Sequence, residues 1–299
     1  MKNIYFNFIK IIIRKIGIIL FDKELSHEIN KPINHILIIN WHGKIGDAIV
    51  SSFFFREIKK LNNVKISVIT NKHMENLYAN VYQADCVYVL SSKLTFSELY
   101  KASRTLTNID AVIPLMGILN FKDLFFISKL NPKNLFSLDD ELKITNIKLG
   151  YLKDKIIMHD IFIHILNQLG VSDVNDSYIY PRHENKNLGF YEIIINPFAS
   201  RKDKSLSLSK TVNLINEITK IYPNKIIGIL NSPDTLNYAL EIKSQILCEN
   251  VIVIDGVDVF ESIIQVITDS NIIISVDTSV AHIASGLGKK LIAIYYKPG

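Results

Sequence analysis

Short, largely apolar runs recur along the chain, each followed by a polar stretch and then by a segment with a helical apolar period. The runs fall at 35–39, 64–70, 86–90 and 111–115, and again at 192–196, 226–230, 251–254, 272–276 and 291–295. They are too short for helices and apolar on both alternating faces, which predicts strands buried on two sides. Helices are predicted at 48–61, 73–80 (a short one), 96–106 and 121–130. A clear helix at 155–169 is ended by Gly170. The alternation restarts with helices at 208–221, 235–247, 260–268 and 281–287. Strands alternating with helices at this spacing imply βαβ units on a parallel sheet. Residues 171–189 are polar and carry no period, so the chain is expected to divide there. The expected organisation is a helix within 1–30, a doubly wound domain over 31–180 and a second over 181–299, facing each other across a cleft.

The first 30 residues differ from the rest. Residues 1–21 are strongly apolar, but Lys10, Arg14 and Lys15 interrupt them. The uninterrupted stretch is too short to span a bilayer, and no small-residue cleavage site follows. On a helix, Asn3, Asn7, Lys10 and Arg14 form one narrow polar stripe. Such a helix suits a membrane interface, with the basic stripe toward lipid head groups. The other reading is a helix packed on the protein's own surface or on a partner.

Composition narrows the class. Of 299 residues, 48% are hydrophobic and 21% charged, as in a folded protein with a substantial core. The net charge of +5 fits an anionic ligand or lipid, but a lysine-rich solvated surface gives the same number. No cluster of Lys and Arg resembles a nucleic-acid tail. Cys86 and Cys248 are far apart, which excludes a disulfide framework or a cysteine-rich zinc site and fits a reducing cytoplasm. No metal-site spacing occurs.

Three loops that follow predicted strands carry candidate chemistry. Gly43-Lys44-Ile45-Gly46-Asp47 places two glycines where the backbone must turn sharply, and then a carboxylate at a helix start. It is neither a dinucleotide fingerprint nor a P-loop; Asp47 could equally complement the helix dipole. Asn196 to Lys204 sets Ser200 and three cations, Arg201, Lys202 and Lys204, after a strand. A diphosphate would meet Lys204 as a point charge and Ser200 as a hydroxyl donor. A solvated basic loop is the alternative. Asp277 ends a strand, Thr278 or Ser279 can cap the next helix, and His282 lies one turn later. Helix starts of this kind favour phosphate, though a simple polar cap is the other reading.

Taken together, residues 36–47, 194–204 and 275–295 resemble the three signature regions of glycosyltransferase family 9, the ADP-heptose:lipopolysaccharide heptosyltransferase family. The resemblance spans about residues 33–299. It implies a GT-B fold of two Rossmann-like domains, inversion at the sugar and no required metal or other cofactor. It further implies a lipid-linked acceptor on the N-terminal domain and a nucleotide-sugar, ADP-heptose by family precedent, on the C-terminal domain. Asp47 matches the family's general base, beside the acceptor-side loop Gly43, Lys44 and Gly46. Ser200 and Lys204 match the loop that holds the donor phosphates. Asp277, Thr278 and Ser279, with His282 after them, match the segment that contacts sugar and diphosphate. Asp234 is the candidate for the donor ribose. Family members usually continue through a turn and a closing helix; here the chain stops at Gly299, so either it is shortened or this member lacks that helix. The resemblance therefore implies a cytoplasmic bacterial transferase at the inner face of the inner membrane, building lipopolysaccharide or a related surface glycan. The alternatives are an inactive relative that binds nucleotide-sugar or a partner, and a GT-B-fold nucleotide-sugar epimerase.

Overall fold

The structure, a computed structural model, describes residues 2–26, 28–153, 155–181, 188–199, 201–254 and 260–295. The chain divides into two compact units, Met1–Ile179 and Tyr180–Gly299.

In the first unit the elements are α1 (Lys2–Phe21), β1 (His35–Asn40), α2 (Ile45–Val50), α3 (Ser52–Ile58), β2 (Lys65–Asn71), β3 (Cys86–Leu90), α4 (Phe96–Thr105), β4 (Ala111–Pro114), α5 (Phe121–Leu130), β5 (Asn134–Ser137), β6 (Ile147–Lys148) and α6 (Met158–Leu169). All strand pairs are parallel and the order is β3-β2-β1-β4-β5-β6. Strand β1 lies centrally, so Ile36 to Ile39 are wholly buried. That explains why it reads as a continuous apolar run. The core on one side joins Leu37, Ile39 and Val112 to Leu124, Phe126 and Ile127 of α5.

Three local features differ from the sequence reading. The single helix predicted over 48–61 is two, α2 and α3, broken at Ser51, whose hydroxyl bonds back to the Ala48 carbonyl at 3.0 Å. Serine competes with the helical ladder in this way. Over 73–80 the chain forms a 3₁₀ turn, Lys72–Met74, and a π-type turn, Leu77–Val81. Strands β5 and β6 were not legible, being four and two residues long. Gly170 does cap α6 in the left-handed region, with φ +99°.

Helix α1 packs against α5 of the same unit, with Gly17 set against Phe121 and Leu124 and Phe21 edge-on to Phe121 and Phe125. Of its polar stripe, Lys10 is exposed and Arg14 is only part-exposed. Arg14 is turned to the protein, where its guanidinium bonds both carboxylate oxygens of Asp139 at 2.9 Å. Asp139 is 4% exposed, so the cation neutralises a buried charge that would otherwise stand alone.

The second unit contains β7 (Ile193–Asn196), α7 (Leu208–Ile221), β8 (Ile227–Ile229), α8 (Leu236–Ser244), β9 (Val251–Val253), α9 (Phe260–Thr268), β10 (Ile272–Val276), α10 (Ser279–Gly286) and β11 (Lys290–Ile294). Its five parallel strands run β11-β10-β7-β8-β9. Both sheets therefore reverse direction of winding beside their first strand: between β1 and β4, and between β7 and β10. Ligands of open α/β sheets bind at that crevice, outside the carboxyl ends of the strands.

Candidate active site

The reversal point of the second unit brings together two loops far apart in sequence. Asn196, at the end of β7, is buried and donates to Ser275 Oγ at 2.9 Å and Thr278 Oγ1 at 3.1 Å. It thereby ties the loop after β7 to the end of β10. Thr278 caps α10 by accepting the Val280 N–H at 3.3 Å. The remaining N–H groups of that helix start carry the positive end of its dipole. Beside it, Lys204 Nζ bonds Asp277 Oδ2 at 2.6 Å. The Asp277 amide is itself held by the Ile294 carbonyl of β11.

The loop after β7 owes its shape to residues beyond the cations. Ser205 accepts the Ala199 N–H at 2.9 Å, and the Leu206 N–H bonds the Pro197 carbonyl. Ser207 then caps α7 through the Lys210 N–H. Of the three cations, Arg201 pairs with Asp203, Lys202 is exposed and Lys204 meets Asp277. Ser200 lies outside the described residues. Asn196, Ser205 and Ser275 are the positioning residues that sequence reasoning passed over. Their signal was only a polar residue at or near the end of an apolar run, for Asn196 and Ser275, and a loop serine, for Ser205.

In the first unit the loop after β1 carries Gly43 at φ +62°, the left-handed region that favours glycine. A Cβ at Gly43 would run into the Asn71 side-chain amide, so two constraints select glycine there. Asn40 is buried and donates to the Tyr78 hydroxyl at 2.7 Å, while its carbonyl accepts from Thr70 Oγ1 at 3.0 Å. These bonds hold the start of the loop. Asp47 follows in the first turn of α2, half-exposed, with Lys44 Nζ 3.8 Å from its Oδ2. Burial, partly offset by the Asn40 bond, pushes the Tyr78 phenol well above its usual range, and the charge of Asp47 adds to this. Tyr78 therefore serves as a neutral prop. Gly46 lies within α2.

Behind this loop, Trp41 packs edge-on to Phe126, and Asp123 belongs to the capping box that Asn120 forms at the start of α5. Asp123 is 1% exposed, and burial pushes its carboxyl up to about 7. The Asn120 N–H, bonded to Asp123 at 2.7 Å, and the nearby Trp41 indole oppose this, although no well-formed bond joins Trp41 to Asp123.

Asp47 with Gly43, Lys44 and Gly46 thus belongs to the first unit, and Lys204, Asp277, Thr278 and Ser279 meet at one sheet edge of the second. Asp234 sits in the exposed turn between β8 and α8, and His282 is exposed on α10. Among the described residues no group of three or more His, Cys, Asp or Glu is placed to hold a metal ion.

Residues 230–297, which include Asp234, Asp277, Thr278, Ser279 and His282, match the family model described as Glycosyltransferase family 9 (heptosyltransferase). Over 98% of its length the chain is 24% identical to 83% of the Escherichia coli (strain K12) protein named "Putative lipopolysaccharide heptosyltransferase 4". The chain is thus similar to glycosyltransferase family 9, over residues 230–297 by the family model and over nearly its whole length by this relative. The family model and this relative both point to a sugar transferase. Solved structures bear out its fold. The family 9 glycosyl transferase from Veillonella parvula DSM 2008 superposes with a TM-score of 0.64 at 14% identity, over 90% of this chain and 82% of that one. The E. coli heptosyltransferase WaaC with ADP-2-deoxy-2-fluoro heptose gives 0.63 at 14% identity, over 89% and 90%. The two doubly wound units of this protein are thus of the GT-B type.

Proposed function

We propose that this protein moves a heptose from ADP-heptose to a lipid-linked lipopolysaccharide acceptor or a related surface glycan, with inversion and without a metal. The donor is supported by the WaaC relative that holds an ADP-heptose analogue, and the acceptor by the name of the E. coli K12 relative. The observation that carries the reading in this chain is the Lys204–Asp277 contact beside the Thr278 helix start, a cation and free amides gathered at one sheet edge.

In the proposed reaction an acceptor hydroxyl oxygen bonds to the anomeric carbon as the bond from that carbon to the diphosphate oxygen breaks. The hydroxyl proton passes to Asp47, and the electron pair leaves with the diphosphate. A carboxylate suffices as base because the hydroxyl becomes acidic only late in the transition state. Lys204, Ser200 and the N–H groups at Thr278 and Ser279 take up the charge of the leaving group. Asp277 aims the Lys204 ammonium and reaches the sugar, while Asp234 takes the ribose and His282 lies at the diphosphate side. Gly43, Lys44 and Gly46 shape the acceptor loop. The work is placed on the cytoplasmic side of the inner membrane, where donor and lipid-linked acceptor meet.

Purified protein screened by thermal unfolding against nucleotide-sugars tests this. ADP-heptose is expected to raise the midpoint, and the bound donor to be consumed only when acceptor is added, equally well with a chelator present. A midpoint raised by UDP-sugars alone, or a donor altered with no acceptor present, would overturn it.

A further inference from the structure

The reversal of the first sheet sets two stretches of chain side by side. Strands β1 and β4 are neighbours, and the Leu115 N–H bonds the Ile39 carbonyl where both strands end. From those two ends leave the chain into α5 and the loop that leads to Asp47. Trp41 opens that loop, six positions before Asp47. Its indole is buried, 5% exposed, and packs edge-on to Phe126 of α5. Asp123, in the first turn of the same helix, is 1% exposed. Each of these side chains keeps one buried polar atom without a well-formed bond. They are the indole Nε1, which can only donate, and Asp123 Oδ1, which accepts. Buried polar groups left unpaired are costly, so such a pair calls for a reason. The donor and the acceptor are complementary, and the indole already acts on the Asp123 carboxyl against the effect of burial.

The helix cap does not need that second oxygen. It is complete with Asn120 accepting the Lys122 and Asp123 N–H groups and Asp123 Oδ2 accepting the Asn120 N–H at 2.7 Å. An asparagine at 123 would close the same cap without burying an acid. We infer that Asp123 is a positioning residue for the loop that carries Asp47: when its Oδ1 takes up the Trp41 indole N–H, it fixes the root of that loop. Asp123 is not free to swing, because Asn120 holds its other oxygen, so Trp41 supplies the movement. Asn40, just before Trp41, is held by Tyr78 and Thr70, so the adjustment passes forward toward Gly43 and Asp47. The consequence for transfer rests on Asp47 acting as the base; the link between Trp41 and Asp123 does not.

Trp41 is the single tryptophan of the chain, so its fluorescence reports this place alone. Asp123→Asn keeps an oxygen for the Asn120 N–H and turns an NH₂ group, which cannot accept, to the indole. Trp41→Phe removes the donor and keeps a ring against Phe126. In Asp123→Asn, amide hydrogen exchange over residues 41–47 is expected to quicken by roughly 5- to 10-fold, as the loss of one hydrogen bond implies. Acrylamide should quench Trp41 more readily, while exchange over residues 124–130 stays as in the wild type. With ADP-heptose and a lipopolysaccharide acceptor, each variant should lower kcat by about 10-fold and leave the donor KM unchanged. The double variant should be no slower than either single one, because all three break one link. Unchanged exchange and quenching in Asp123→Asn overturn the inference. So do kcat losses that add in the double variant, or faster exchange spread evenly over α5 and the loop, which would make Asp123 part of the scaffold. The two proposals fail separately. A wild type that transfers nothing, while Asp123→Asn loosens residues 41–47, sinks only the proposed function; full transfer by both variants sinks only the positioning role.

Discussion

Lys204 Nζ and Asp277 Oδ2 meet at 2.6 Å across 73 residues of sequence. They meet because β7 and β10 are neighbours at the point where the second sheet reverses, so the loops that leave them are forced side by side. Each side chain is about one-third exposed, 34% and 31%, and an ion pair that wet stabilises a fold by under ~1 kcal/mol. The contact matters for where it holds a positive charge. Lys204→Met is expected to weaken donor binding by roughly 10- to 100-fold, as losing a charge-assisted bond should. Its unfolding midpoint should hardly move. Calorimetry with the donor, beside a melt of the same sample, checks both halves; a large loss of stability with donor affinity intact would place Lys204 in the scaffold.

Asp47 tests the other half of the chemistry. Its half-exposed carboxylate near Lys44 is no essential part of a core. Asp47→Asn should therefore fold normally, bind donor as the wild type does, and lower kcat by roughly 10²- to 10⁴-fold. Single-turnover transfer with saturating donor reads this directly, and full turnover by the variant removes Asp47 from the base's role.

Gly43 is constrained twice, by its φ of +62° and by the Asn71 amide. Gly43→Ala should destabilise the protein by roughly 1–3 kcal/mol in denaturant melts. Adding Asn71→Ala removes the collision but not the backbone strain, so the double variant should recover only part of the loss. Complete recovery would show that the backbone conformation costs nothing.

Asp123 makes stability depend on pH in a defined direction. Its folded carboxyl is raised to about 7, above the ordinary carboxylate range. The folded state therefore holds a proton that the unfolded chain has already released. The associated stability is complete below the ordinary carboxylate range and is lost as pH rises toward about 7, at a slope of at most roughly 1.4 kcal/mol per pH unit. Asp123→Asn can still accept the Asn120 N–H, and its stability should be flatter over that window. Chemical melts at a series of pH values for both proteins give the comparison; parallel curves would mean that Asp123 does not titrate there.

Much of the fold was legible because the signals are local. Phe121–Leu130 and Leu208–Ile221 announce themselves by helical period, and Ile36 to Ile39 by a run apolar on both faces. Cys86–Leu90 is bounded by polar residues and was equally plain. Ser51 was not, because whether its hydroxyl bonds back into the helix depends on the packing around it. Nor were Asn134–Ser137 and Ile147–Lys148, which are strands only because β4 offers an edge and the chain returns to it. In the candidate site, Gly43, Asp47, Thr278 and Lys204 stood out by type and by place after a strand. Asn196 and Ser205 did not, because a buried amide and a loop serine look like ordinary punctuation until their partners are known.

By itself the order of residues determined the alternation of strands and helices, the loops that carry charge, and the family resemblance. Apolar periodicity and short motifs act over a few residues, so they survive being read one stretch at a time. Only the tertiary structure decided that Lys204 reaches Asp277, that Asn196 ties two loops together, and that Arg14 turns inward to Asp139 and leaves the apolar side of α1 outward. Those contacts join residues tens to more than a hundred positions apart, and sheet order and burial, which no local pattern encodes, choose the partners.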